Sequence, residues 1–116
     1  MKNVRTVELE ITPEIVERST KLLNEHHFSI CSSCLVSQAI RDYLEEENVL
    51  PKNHLILTAG KAVSMGTGFS HQHEIGSLDK RGYDVVNSGA RDWPQYTGEK
   101  FSTTIDMDKL YAERES

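Results

Sequence analysis

The stretch Val4-Arg5-Thr6-Val7-Glu8-Leu9-Glu10-Ile11-Thr12-Pro13-Glu14 sets how the chain begins to fold. Val7, Leu9 and Ile11 alternate with Thr6, Glu8 and Glu10, the period of two that gathers apolar side chains on one face of a half-buried strand. At Thr12 the period breaks. The Thr12 side chain can accept from the first turn of a helix, and Pro13 suits the first helical position, where an N–H would be unpaired anyway. Glu14 then meets the positive end of the helix dipole, and Ile11 and Val16 are spaced to staple across the cap. The helix should bury Ile15, Val16, Leu22 and Leu23 and fade near Asn24.

Beyond a connection through Cys31 and Cys34, a second helix is expected from about Ser33 to Glu47. Leu35, Val36, Ala39, Ile40, Tyr43 and Leu44 form its apolar stripe. Glu45, Glu46 and Glu47 oppose the dipole at its C-terminus, which predicts fraying. After Pro51, His54-Leu55-Ile56-Leu57-Thr58 reads as a buried strand, Ala59-Gly60 as a turn, and Lys61-Ala62-Val63-Ser64-Met65 as the returning strand of a hairpin.

The composition then changes. All seven glycines lie between Gly60 and Gly98, and residues 66–98 hold Phe69, Tyr83, Trp93 and Tyr96, half of the eight aromatics. The segment reads as a long loop, which a compact domain rarely keeps without a function. Tyr83-Asp84-Val85-Val86 is the one further strand expected in it. Residues 99–112 are open to two readings. Phe101, Thr103, Ile105 and Met107 alternate as a strand, whereas Phe101, Ile105 and Ala112 suit a helix face.

A chain of 116 residues with 37% hydrophobic and 27% charged residues builds one folded domain and no more. No apolar run approaches the ~20 residues of a membrane span, and the first residues do not lead into the apolar stretch of a signal peptide, so the cytoplasm is the expected location. Thirteen Lys and Arg against 18 Asp and Glu leave a net charge of −5, which argues against affinity drawn from DNA phosphates. Two cysteines make no disulfide framework. The expected architecture is therefore a small α+β domain ordered strand, helix, helix, β-hairpin, long loop, helix, with a mainly antiparallel sheet. Its exposed sheet edge and helix surfaces predict a homodimer.

Three constellations carry chemistry. Cys31-Ser32-Ser33-Cys34 is a C-x-x-C at a helix N-terminus, a setting that lowers a thiol pKa, but no βαβ unit precedes it as in thioredoxin-like proteins. With His71 and His73 it forms a possible Cys2His2 zinc set. Gly66, Thr67, Gly68 and Ser70 follow a strand and can turn backbone N–H groups toward an anion, while Arg81 and Arg91 can pair with phosphate and Tyr83, Trp93 and Tyr96 can stack on a base. The stretch fits neither the Walker loop nor the dinucleotide fingerprint, since His71 stands where the latter needs its third glycine. No nucleophile with its base and orienting group is present in the pattern, so no catalytic residues are named.

Two resemblances complete the reading. Leu9-Glu10-Ile11-Thr12-Pro13-Glu14-Ile15 and Ala39-Ile40-Arg41-Asp42-Tyr43-Leu44 resemble the strand-to-helix join and second helix of the ribbon-helix-helix family of dimeric DNA-binding regulators. The resemblance implies that Thr6, Glu8 and Glu10 face the major groove. The whole chain also resembles a loose group of small phage and bacterial proteins, through Ile11-Thr12-Pro13-Glu14, Cys34-Leu35-Val36-Ser37, the Leu55–Met65 hairpin and Phe101 before Ile105-Asp106. That likeness implies a closing helix over the last element and a phage-type accessory protein. The expected function is non-enzymatic binding of a host defence protein or a small nucleotide signal through residues 66–98. A ribbon-helix-helix DNA-binding regulator is the alternative, and a zinc-dependent enzyme the third reading.

Overall fold

Thr12 caps the first helix as its position suggests. In the computed structural model, which describes residues 3–26, 34–50, 53–68 and 71–115, its Oγ1 accepts from the backbone N–H of Ile15 at 3.2 Å. Strand β1 (Val4–Glu10) precedes the cap and helix α1 (Pro13–His26) follows it. Burial along β1 alternates: Arg5, Val7 and Leu9 are half-buried, and Thr6, Glu8 and Glu10 are exposed. Ile11 and Ile15 are buried in the core and Val16 packs against it, as the staple requires.

Helix α2 (Leu35–Glu46) buries Leu35, Val36, Ala39, Ile40 and Leu44, the expected stripe, with Tyr43 half-buried. The expected fraying at its acidic end is corrected by a Schellman closure. Asn48 takes a positive φ of 58°, its N–H donates to Glu45 O, and the Val49 N–H donates to Leu44 O, both at 3.0 Å. Two of the three glutamates are neutralised by arginines. Arg41 Nε lies 3.1 Å from Glu45, and Arg5 Nη1 from β1 lies 3.2 Å from Glu47 and 2.9 Å from the Tyr43 hydroxyl. The bond to Tyr43, more than the nearby Glu47, raises the Arg5 pKa. Arg18 ties α1 to α2, its Nη2 2.8 Å from both Asp42 oxygens and its Nε 3.0 Å from Gln38 Oε1.

Strands β2 (Leu55–Ala59) and β3 (Ala62–Gly68) form the expected hairpin, with Ala59 paired to Ala62. Gly60, at φ +59°, occupies the first position of the two-residue loop, where only glycine is unstrained. The sheet has five antiparallel strands in the order β1-β5-β4-β3-β2. The fold is α+β.

Residues 66–98 are not the long loop that composition suggests. They contain β4 (His71–Leu78), helix α3 (Lys80–Val86) and a 3-10 helix (Ala90–Tyr96). The β4 pattern was obscured by a bulge. Val63 pairs with Gly76 and Ser64 with Glu74, so Ile75 is inserted between them and the period of two is lost. Gly76 there lies so close to β5 that a Cβ would overlap the Thr104 carbonyl oxygen. Tyr83-Asp84-Val85-Val86, expected as a strand, is helical because Asp79 caps the turn, its Oδ1 accepting from Gly82 N at 2.9 Å.

The last element is strand and helix in succession, β5 (Lys100–Asp106) then α4 (Met107–Glu115), which corrects the single closing helix. Phe101, Thr103 and Ile105 are buried alternately on β5, and β5 fills the position between β1 and β4. Helix α2 packs on β2, β1, α1 and α3; α3 packs on β5, and the 3-10 helix on α1. Trp93, Phe101, Leu35, Ile40 and Met65 lie in the centre of the core. None of the described helices is long and apolar enough to cross a membrane.

Candidate functional site

The structure divides the residues singled out by sequence among several places. Cys34 is the N-cap residue of α2 and is buried. Its Sγ lies 3.2 Å from Thr58 Oγ1 and 3.5 Å from Ser37 Oγ, and the two hydroxyls are 2.9 Å apart. Cys31 and Ser70 lie outside the described residues, as does the side chain of His71. His73 is exposed on β4, opposite Met65 of β3. Among the described residues no three His, Cys, Asp or Glu side chains gather as a metal site.

The eight described residues of the expected ligand site do not converge. Gly66, Thr67 and Gly68 end β3. Arg91, Trp93 and Tyr96 ride on the 3-10 helix, which faces α1. Trp93 is 0% exposed, so its ring cannot stack on a ligand; it is a core residue, and that part of the expected site is corrected. Tyr96 is half-buried against the core and Arg91 is exposed.

Arg81 and Tyr83 both ride on α3, two residues apart and so turned different ways: Tyr83 lies beside the β2–β3 turn, whereas Arg81 reaches Glu8 of β1. Tyr83 is a large side chain left 36% exposed, and Lys61 Nζ lies 5.7 Å from its ring centroid. The turn is held there by the Leu78 N–H, which donates to Lys61 O at 2.8 Å. Lys80 and Arg81 add two more exposed cations on the same helix. Arg81 is oriented by Asp79 Oδ2 at 3.3 Å and Glu8 Oε2 at 3.4 Å, and its side chain remains 54% exposed. Burial alone would push the Asp79 carboxyl up, but hydrogen bonds from the Gly82 and Ser102 backbone and the Arg81 guanidinium together hold it below the ordinary carboxylate range. Lys61 is the member that sequence reasoning missed. The sequence pattern put it at the start of the returning strand rather than in the Gly60-Lys61 loop, and its approach to Tyr83 depends on how α3 packs.

At the opposite, open end of the same hairpin lies a groove of about 530 Å³. The C-terminal part of α2 contributes Arg41, Glu45 and Asn48, and the start of β2 and end of β3 contribute Leu55 and Thr67. Leu50, Asn53 and His54 line the connection between α2 and β2. Asn53, like Asn48, has a positive φ, 62°. Among the described residues selected from the sequence, only Thr67 reaches this groove.

Comparison with protein-family models, with curated proteins and with solved structures returns no match.

Proposed function

We propose that this is a non-enzymatic binding protein that holds an anionic nucleotide against Tyr83 and Lys61, with Arg81 of the same helix as a further cation for an extended phosphate group. The observation that carries the reading is the exposed Tyr83 ring with Lys61 Nζ 5.7 Å from its centroid, on a helix that also carries the exposed Arg81, in a chain whose net charge is −5. A ring face stacks on any base, and neighbouring guanidinium and ammonium groups attract phosphate. The carboxylates of Asp79 and Glu8 orient Arg81, and Glu8 competes with an incoming phosphate for it. This chemistry suits a phage-type accessory factor that captures a small nucleotide signal in the cytoplasm, acting as a homodimer.

Titration of the protein with mono- and dinucleotides, followed by calorimetry, tests the reading. Tyr83→Ala should lower affinity by roughly five- to a hundredfold, the loss of about 1–3 kcal/mol of stacking. Glu8→Gln should raise affinity by freeing Arg81. Binding unchanged by Tyr83→Ala and Arg81→Ala, or no nucleotide binding at all, overturns it. Duplex DNA in the same titration tests the regulator alternative. With Glu8 and Glu10 exposed on β1, no nanomolar binding is expected, whereas a specific regulator reaches roughly 10⁻⁸ M or better.

A further inference from the structure

We infer that the groove at the open end of the β2–β3 hairpin is a second binding site, built for a zwitterionic α-amino acid. Its volume of about 530 Å³ lies within the range of small-molecule sites. The inference rests on the charges that line it. Arg41 and Glu45 stand one helical turn apart and form an ion pair at 3.1 Å, so both signs of charge face one groove. Neither side chain is buried, and both are accessible to a ligand.

Each simpler ligand class meets a like charge there. A bare anion drawn to Arg41 has to lie beside Glu45 and near the negative end of the α2 dipole. A bare cation drawn to Glu45 has to lie beside Arg41. A molecule whose ammonium and carboxylate share one carbon matches both poles when laid antiparallel to the pair. Its ammonium takes Glu45, on the side the helix C-terminus favours, and its carboxylate takes Arg41. The Arg41 guanidinium bonds Glu45 through Nε, and its two NH2 groups present the planar fork that carboxylates prefer.

The rest of the groove suits the remainder of such a ligand. Leu50 and Leu55 supply an apolar surface for its side chain. Asn48 and Asn53 both hold the left-handed conformation in which glycine is unstrained; asparagine there adds an amide group at the rim. This site is separate from the Tyr83 corner, which lies at the turn end of the hairpin, and it stands whether or not nucleotides bind there.

The test is titration of the ¹⁵N-labelled full chain with L-leucine and L-methionine, read from the amide resonances of Asn48, Asn53 and Thr67. Three analogues isolate the charges: isoamylamine lacks the carboxylate, 4-methylpentanoate lacks the ammonium, and N-acetyl-L-leucine has it blocked. Inorganic phosphate serves as the anion control. Saturable shifts are expected from the amino acids and not from the analogues or phosphate. Arg41→Gln and Glu45→Gln should each weaken binding at least tenfold, with Lys21→Gln on α1 as the neutral control and melting curves confirming the fold. Because Gln keeps the length and polarity of each position, loss of binding reports the charge. The inference is overturned if an analogue or phosphate binds as well as the amino acid, or if both Gln variants bind it normally. It is equally overturned if neither amino acid saturates at roughly 10 mM, an affinity too weak for a built site.

Discussion

Tyr83 and Trp93 are two aromatics of one glycine-rich segment, and the fold uses them in opposite ways. Trp93 sits on the 3-10 helix against α1 and is fully buried. Tyr83 sits on α3 with over a third of its surface open and a lysine beside its ring. Composition alone ranked both as stacking planes. What separates them is the element each rides on and what that element packs against. A tryptophan buries more apolar area than any other side chain, so a core position is its commonest use. A tyrosine left on the surface beside a lysine has no comparable role in stability.

Trp93→Ala should break the molecule most severely. Truncating a fully buried tryptophan costs about 3–5 kcal/mol, a large share of the stability of a domain this size. Trp93→Phe is the informative partner. Trp93 Nε1 has no hydrogen-bond partner among the described residues, so phenylalanine removes a buried, unpaired N–H along with part of the ring. Chemical denaturation should find Trp93→Phe well above Trp93→Ala, with nucleotide binding per folded molecule unchanged in both. A loss of binding in folded Trp93→Phe would return Trp93 to the site and erase the contrast.

Gly76→Ala comes next. The added methyl overlaps the Thr104 carbonyl oxygen and approaches the Ile105 backbone, and neither can swing aside as a side-chain end would. Overpacking of this kind costs roughly 1–3 kcal/mol, or more if β4 and β5 separate. Because β4 carries the chain to Asp79 and α3, thermal melting of this variant also asks whether the Tyr83 corner depends on the β4–β5 pairing.

These positions show where the sequence could be read and where it could not. The Thr12 cap, the α2 stripe and the Gly60 turn rest on neighbours within a few residues, and all three were legible. So was the α+β class. Strand β4 was not, because the bulge at Ile75 removes its alternation and most of its other side chains are polar. In α3, Val85 and Val86 favour a strand locally, and the Asp79 cap and packing on β5 override them. The alternation of Phe101, Thr103 and Ile105 was visible and correct, and the resemblance that implied a closing helix displaced it. At the candidate site Arg81 and Tyr83 were legible by type, whereas Lys61 reaches Tyr83 only through tertiary packing. The groove was illegible for the same reason, since its lining comes from α2, β2 and β3 together.

Asp79→Asn is expected to have a moderate effect with a characteristic pH dependence. Asp79 caps α3 through Gly82 and orients Arg81; asparagine caps as well as aspartate, so the variant removes only the charge, which at a helix N-terminus is worth about 0.3–1 kcal/mol at neutral pH. Its folded pKa lies below the ordinary value, so the unfolded chain takes up the proton first as pH falls. The stabilisation is therefore complete above the usual carboxylate range and lost as pH drops through the lower, folded value. Melting temperatures of the two proteins should differ at pH 7 and converge in strong acid. A constant gap across that range would mean that the carboxylate charge contributes nothing and only the cap geometry matters.

The smallest effect sharpens the contrast most directly. If Lys61 is held over Tyr83 by attraction between its ammonium and the ring, a double-mutant cycle of Lys61→Met and Tyr83→Leu should give a coupling of about 0.5 kcal/mol, the size found for exposed cation–π pairs. Each single variant should change stability little, because neither residue belongs to the buried core. The same cycle run on nucleotide affinity should give a larger coupling, since an ammonium that has drawn in a phosphate also fixes the base against the ring. A coupling in stability with none in binding would mean that the lysine serves the fold alone. In that case Tyr83 would differ from Trp93 only in depth of burial, and the turn end of the hairpin would have no claim to be a site.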